Sequence, residues 1–415
     1  MTMIIKRDYY LQQLISSKSN NLIKIVTGIR RSGKSFLLFN LFHNHLIETG
    51  ISEDHIIEIA LDDRLNKNLR DPDVILQHIH ERIIDDKLYY IILDEVQMID
   101  EFTDVLNSLL HIRNADVYAT GSNSKFLSKD VVTEFRGRGD EIHLFPLSFA
   151  ELYDSVGGDK FELWKSYYTY GGLPGILELD SDKKKAAYLQ SLHETVYLKD
   201  IIERNNLKNS EEFMELMRVM ASCIGSPCNP SKLDNTFKSV KNETLDRKTI
   251  SKYLSYMEDA FLIEKSMRYD IKGRKYIGTL SKYYFQDIGL RNALLNFRQV
   301  EENHIMENVI YNELRLRGFF VDVGMVEART AKERKQLEVD FVANMADRRY
   351  YIQSAFAMPD DAKREQECAS LKRIDDSFKK IIIMRDDIKP YHDNNGFYIV
   401  GLIDFLLKPD LMEQL

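Results

Sequence analysis

Cysteine is scarce: the 415 residues hold three, Cys223, Cys228 and Cys368. At those spacings they make neither a disulfide framework nor, with the histidines, a metal-binding pattern, so the sequence predicts free thiols in a reducing compartment. Long apolar runs are missing as well. The longest stretches without Asp, Glu, Lys or Arg are Ser35 to Ile47 and Val219 to Ser231, 13 residues each. A bilayer-spanning helix needs roughly 20 apolar residues. The first residues, Met1 to Asp8, lack the apolar stretch of a secretion signal. A soluble, cytoplasmic chain with no membrane partner is therefore expected. Nor is there an excess of positive charge, since 57 Lys and Arg stand against 65 Asp and Glu, a net charge of −8. A surface that coats nucleic acid throughout is excluded, and any such contact must come from a local patch.

What is present is ordinary globular composition, 44% hydrophobic and 29% charged. At about 150 residues per domain the length suggests two to four domains. The first chemistry lies near residue 28. Residues 22–27 read as a short β-branched strand. They run into Gly28-Ile29-Arg30-Arg31-Ser32-Gly33-Lys34-Ser35 and then the helical apolar run Phe36 to Phe42. Strand, G-x-x-x-x-G-K-S and helix in that order are the setting of a phosphate-binding loop. Gly28 and Gly33 allow the positive φ angles that gather N–H groups around a phosphate. Arg31, Ser32 and Phe36 complete the expected nucleotide cradle. Lys34 supplies a point charge to the β- and γ-phosphates, and Ser35 is a Mg2+ ligand beside a helix N-terminus.

A partner motif follows at Tyr89-Tyr90-Ile91-Ile92-Leu93-Asp94-Glu95, an apolar run ending in two acids. It suits a buried parallel strand whose C-terminal end sits beside the phosphate loop. Asp94 is then expected in the Mg2+ shell, and Glu95 is the group that polarises the attacking water. A third strand, Asp116 to Thr120, ends in Gly121-Ser122-Asn123, where Ser122 and Asn123 are candidates to contact the γ-phosphate or orient the water. In Glu134-Phe135-Arg136-Gly137-Arg138-Gly139 an arginine stands between glycines. Arg138, ahead of Arg136, is the candidate finger toward a γ-phosphate, in its own copy or a neighbour's in an oligomer.

The segments Gly28 to Ser35, Leu93-Asp-Glu-Val-Gln97, Thr120-Gly-Ser-Asn123, Gly137-Arg138 and Leu144-Phe-Pro-Leu-Ser-Phe149 resemble the prokaryotic AAA-type P-loop ATPases (AAA domain family 14) that carry a C-terminal domain of unknown function numbered 4143. The likeness continues through Tyr170-Gly-Gly-Leu-Pro-Gly175, Leu198 to Arg204, Tyr284 to Arg291 and Glu338-Val-Asp-Phe341, nearly the whole chain. The resemblance implies an α/β fold with a P-loop parallel-sheet core at 1–149 and a helical lid at 150–210. A winged helix-turn-helix at 211–300 and a nuclease-like α/β module at 301–415 would follow. It also implies that the nucleotide is ATP.

The remaining chain has its own signals. Apolar residues at every fourth position from Tyr188 give a one-faced helix. Within 211–285, helix, turn, helix capped by Asp246, and a hairpin tipped by Asp270-Ile271-Lys272-Gly273-Arg274-Lys275 give the winged-helix order. Residues 230–285 hold 12 Lys and Arg against 7 Asp and Glu. Thr249, Ser251, Lys252, Lys272, Arg274 and Lys275 are therefore candidates to touch double-stranded DNA. Farther on, Glu307 in a helix, Asp340 at a strand end and Gln353-x-Ala355 on the next strand resemble the PD-(D/E)xK nuclease pattern. With Ala355 where that pattern has lysine, cleavage chemistry is expected to be lost. The leading expectation is a Mg2+-dependent ATPase whose cycle is coupled to these modules. The alternative is an ATP-gated switch or scaffold that recruits a protein partner with little turnover. A metal-dependent nuclease powered by the core is third.

Overall fold

The structure, a computed structural model, describes residues 5–121, 137–241, 245–329 and 334–414. The chain divides into two compact units, 1–146 with 259–261, and 147–258 with 262–415. In the first unit Ile23–Thr27 (β1), Ile56–Ala60 (β2), Tyr89–Asp94 (β3), Ala115–Thr120 (β4) and Gly139–His143 (β5) form one sheet of order β2-β3-β4-β1-β5. Every pairing is parallel. Alternation along β3 shows why its run is unbroken. Tyr89, Ile91 and Leu93 pack with Ile75, Ile79, Val105 and Leu106 from the helices Pro72–Arg82 and Phe102–Leu109. Tyr90 faces the other way, toward Phe42. Both faces are covered, so neither tolerates polar residues. Lys24, fully buried in β1, is admitted because its ammonium bonds the Asp116 carboxylate. Asp116 also accepts the Tyr118 hydroxyl at 2.8 Å and the Ser19 amide at 3.0 Å. A buried charge needs such partners. With the loop after β1 and β1 interior in the sheet, this is the α/β fold of a P-loop nucleotide-binding core.

The second unit opens with helices Phe149–Val156, Lys160–Tyr170 and 182–205, the last continuous through a π-helical stretch at His193–Leu198. Ser148 starts the first of them with a reciprocal cap. Its hydroxyl accepts the Glu151 amide at 3.1 Å, and the Glu151 carboxylate accepts the Ser148 amide at 2.9 Å,. Helices Ser210–Ser222, Pro230–Lys241 and Arg247–Asp259 follow, and Asp246 caps the third by accepting the Lys248 amide at 3.2 Å.

Ile263–Asp270 (β6) and Lys275–Phe285 (β7) then pair as a hairpin. These strands extend a larger sheet, because β6 also pairs in parallel with Phe320–Arg329 (β8). The sheet goes on through Arg334–Met345 (β9), Arg348–Ala355 (β10) and Lys379–Met384 (β11), then Tyr391–His392 (β12) and Tyr398–Gly401 (β13). Its order is β12-β13-β11-β10-β9-β8-β6-β7. Ile305, Val309 and Ile310 of the helix Glu302–Leu316 pack on one face with Phe341, Ile352 and Ile381. Cys368, Leu371 and Ile374 cover part of the other with Val339, Tyr351 and Ile382. Asp322 pairs with Val342 and Gly324 with Val339. Asp340 and Phe341 therefore share the place opposite Val323, a β-bulge of the kind that re-aims a side chain. All three cysteines are free, and burial pushes the Cys228 thiol up to about 12. No helix among the described residues is long and apolar enough to cross a membrane.

Candidate functional site

After Thr27 the chain turns through Gly28 at φ 138° and Gly33 at φ 99°. A β-carbon at Gly28 would lie 2.2 Å from the Leu144 carbonyl oxygen, so the loop can pass only with glycine there,. Lys34 and Ser35 begin the helix 34–48. The Lys34 ammonium is buried and donates to the Gly28 and Ile29 carbonyls at 3.0 and 3.2 Å. Burial lowers its pKa, against which Glu95 and Asp94 act. Phosphate oxygens are stronger acceptors than these carbonyls, so the same ammonium is placed to serve a phosphate. Ser32 is fully buried, and its hydroxyl has no partner among the described residues, a donor free for an anion in the loop. The loop is also held from behind. The Arg7 guanidinium lies 4.6 Å over the Tyr10 ring and donates to the Ser32 carbonyl at 3.2 Å and the Phe145 carbonyl at 2.7 Å.

The acidic strand meets the loop through hydrogen bonds. Ser35 Oγ donates to Asp94 Oδ2 at 2.7 Å. β4 lies between β1 and β3, and Thr120 at its end fills the gap. Its hydroxyl donates to Asp94 Oδ1 and accepts the Glu95 amide, the latter at 2.9 Å. Burial raises the Asp94 pKa, while Thr120 and Ser35 pull it down. A divalent cation at Ser35 Oγ and Asp94 would supply the charge that this buried carboxylate lacks. Glu95 takes the left-handed backbone at φ 54°, and its carboxylate accepts a hydrogen bond from the Gln97 amide. Strained backbone of this kind is uncommon for glutamate and fixes where its carboxylate starts.

Lys34, Ser35, Asp94, Glu95, Gly28, Ser32 and Gly33 are thus brought together. Arg31, at φ 67°, and Phe36 are exposed on the loop and the first helical turn. Ser122, Asn123 and Arg136 lie outside the described residues. Arg138 is exposed, and its carbonyl accepts the Ile23 amide at 2.8 Å. β1 and β5 run parallel from Ile23 opposite Gly139 to Thr27 opposite His143. Arg138 therefore stands at the N-terminal end of the strands, while the phosphate loop leaves their C-terminal end. The sequence reading missed Thr120 and Gln97 as parts of this site, and it did not foresee that Arg7, which with Tyr9 could flank the nucleotide base, braces the loop. Thr120 and Gln97 lie within the quoted motifs, whereas nothing around Arg7 signals its role.

In the second unit Thr249 is half-buried, and Ser251, Lys252, Lys272, Arg274 and Lys275 are exposed. A separate buried cluster gathers around Lys282 of β7. Its ammonium reaches Glu307 Oε1 at 2.8 Å and Glu338 Oε1 at 2.7 Å, and the Tyr284 hydroxyl donates to the same Glu307 oxygen at 2.7 Å. Burial opposes the ammonium, yet Glu307, Asp340 and Glu338 hold its pKa above the ordinary lysine value. Burial, and then Glu307, pushes the Asp340 carboxyl well above the usual range. Glu307 and Asp340 thus act on each other electrostatically. Gln353 is not with them. Ile352 belongs to the core under the Glu302–Leu316 helix, while Tyr351 and Ala355 belong to the core on the opposite face. Alternation puts Gln353 on that opposite face, where it accepts from the Ser370 hydroxyl at 3.5 Å,. Among the described residues, as they stand with Lys282 between Glu307 and Glu338, no three His, Cys, Asp or Glu side chains are arranged to hold a metal ion.

An AAA domain matches residues 20–153. A domain of unknown function (DUF8612) matches 161–301; its number is not the 4143 that the motifs suggested. An uncharacterized protein of Haemophilus influenzae is 33% identical over 414 residues, 98% of this chain and 99% of its own. The uncharacterized protein MJ1544 of Methanocaldococcus jannaschii is 29% identical over 391 residues, 90% of this chain and 82% of its own. Among solved structures, the Aeropyrum pernix ORC1 protein in complex with DNA aligns at 12% identity and a TM-score of 0.29, over 71% of this chain and 93% of that one. Cdc6p from Pyrobaculum aerophilum aligns at 12% and 0.30, over 74% and 97%. Likeness that slight says nothing of function. The near full-length match decides membership: this chain belongs to the family of the Haemophilus influenzae protein, and its first part is a P-loop AAA domain.

Proposed function

We propose that this chain is a Mg2+-dependent ATP-binding protein that hydrolyses ATP to ADP and phosphate. The observation that carries the reading is the hydrogen-bonded series Ser35–Asp94–Thr120–Glu95, which joins the phosphate loop to its acidic strand. Gly28, Arg31, Ser32, Gly33 and Phe36 cradle the nucleotide, and Lys34 moves from its loop carbonyls to the β- and γ-phosphates. Ser35 and Asp94 would hold Mg2+, which would supply positive charge to the phosphate oxygens. Glu95, released from Gln97, takes the proton of the attacking water, with Ser122 and Asn123 at the γ-phosphate. Residues 211–300 act as a winged helix whose basic stretch, 230–285, engages double-stranded DNA. Residues 301–415 act as a nuclease-like module that does not cut.

Steady-state hydrolysis by three proteins tests the core. Lys34→Ala should lose turnover, and normal turnover in it would end the assignment. Glu95→Gln should bind ATP and hydrolyse roughly 10²–10⁴-fold more slowly, the usual contribution of a positioned base. Adding duplex DNA at two salt concentrations tests the basic stretch, because phosphate contacts weaken steeply as salt rises. A second reading is an ATP-gated switch with little turnover that recruits a protein partner. The Gln97–Glu95 bond favours it, since it occupies the base. Wild-type turnover that stays near that of Glu95→Gln would favour the switch.

A further inference from the structure

The nuclease-like pattern lacks its lysine at Ala355, yet a lysine sits among the module's carboxylates. Lys282 comes from β7, 73 positions earlier in the chain and outside any motif. It is 2% exposed. Its ammonium stands 2.8 Å from Glu307 and 2.7 Å from Glu338, and the charge of Asp340 acts on it as well. A divalent cation bridging these carboxylates would need their oxygens at about 2.0–2.6 Å. It would have to share that space with a fixed positive charge.

The lysine has little freedom to leave. Lys282 is opposite Ser266 in the hairpin pairing, and Tyr284, two residues on, is fully buried in the core and bonded to Glu307. The β-bulge at Asp340 and Phe341 brings the third carboxylate to the same face as the Glu302–Leu316 helix. We propose that Lys282 is the resident cation of this cluster. Its ammonium takes the place of a divalent metal between Glu307, Glu338 and Asp340, and the module is assembled and kept free of metal by its own side chain. This deepens the reading of residues 301–415 as a module that does not cut, and rests on it.

The test is Mn2+ binding to nucleotide-free full-length protein, followed by the electron paramagnetic resonance of free Mn2+. Wild type and Asp340→Asn should be indistinguishable. Lys282→Met, which keeps an unbranched side chain one atom shorter and removes its charge, should bind one Mn2+ at least tenfold more tightly than wild type. Its melting temperature should rise with Mn2+. Lys282→Arg should stay free of metal. A stoichiometric Mn2+ in wild type that Asp340→Asn loses would overturn the proposal without using any Lys282 variant, and so would a Lys282→Met protein that gains nothing. Plasmid nicking is scored separately. Nicking by a wild type that binds no Mn2+ at Asp340 would defeat the non-cutting reading and leave the role of Lys282 standing.

Discussion

Thr120 shows how one hydroxyl links two functions. It donates to Asp94 and accepts the Glu95 amide, so it positions both the carboxylate proposed to hold Mg2+ and the backbone of the proposed base. Valine keeps its shape and removes both bonds. The buried Asp94 oxygen would lose its donor, at a cost of about 1–3 kcal/mol. Thr120→Val should therefore keep ATP binding within a few-fold and lower kcat by roughly tenfold to a hundredfold. Binding by titration and kcat by steady-state kinetics separate the two. An unchanged kcat would leave Thr120 as packing only. Such a role was only partly legible in the sequence. The glycines, Lys34, Ser35, Asp94 and Glu95 stand out as candidates in the sequence because a phosphate-binding loop and its acidic strand require that spacing. Thr120 sits at the end of an apolar strand and acts only once β4 lies between β1 and β3.

Elements explain motifs that sequence alone leaves unexplained. Tyr170-Gly171-Gly172-Leu173 and the helix Ile288–Leu294 meet through the Asp287 carboxylate, which accepts the Gly172 amide at 2.8 Å and the Leu290 amide at 2.9 Å. A β-carbon at Gly289 would lie 2.0 Å from the Tyr170 carbonyl oxygen. The residues were visible as motifs; their contact, 115 positions apart, was not. Burial pushes the Asp287 carboxyl up to about 6, although the Leu290, Gly172, Gly289 and Leu173 amides pull it down. The folded chain then holds this proton more tightly than the unfolded one, whose pKa is near the ordinary 3.8. Its contribution is complete below about pH 4 and lost as pH rises to about 6. Asp287→Asn cannot titrate. The stability advantage of wild type over this variant should grow by about 3 kcal/mol as pH falls through that window. Urea unfolding at several pH values measures it, and a constant difference would show that Asp287 is not the titrating group. The hairpin teaches a related lesson. Its two strands and basic tip were readable from alternation and glycine, but not that β6 would pair with β8 and join the hairpin to the C-terminal sheet. Pairing between distant strands leaves little trace in either strand's own pattern.

At the scale of the whole molecule, the order of elements was largely readable, while which residues meet across the chain was not. Lys282 is the sharpest case, since a lysine in a strand gives no sign that three carboxylates from other elements surround it. Arg138 raises the same question between copies. It stands at the N-terminal end of the first unit's sheet, and the phosphate loop leaves the C-terminal end. Thr27 lies four residue steps beyond Ile23, about 13 Å at the usual rise. An arginine side chain does not span that and still reach a phosphate beyond the loop. A catalytic role for Arg138 therefore requires a second copy, whose γ-phosphate the guanidinium would approach. Turnover per chain should then rise with protein concentration and level off as copies associate. Arg138→Ala should be slow at every concentration, by about 10³-fold or more if the group acts as a finger. Mixing decides the matter. Arg138→Ala keeps an intact base and lacks the finger, while Glu95→Gln keeps the finger and lacks the base. An equimolar mixture of these two slow proteins should recover a substantial part of wild-type turnover, because some interfaces pair a good site with a good arginine. A mixture no faster than the average of its parts would remove Arg138 from catalysis and leave hydrolysis to residues of a single chain.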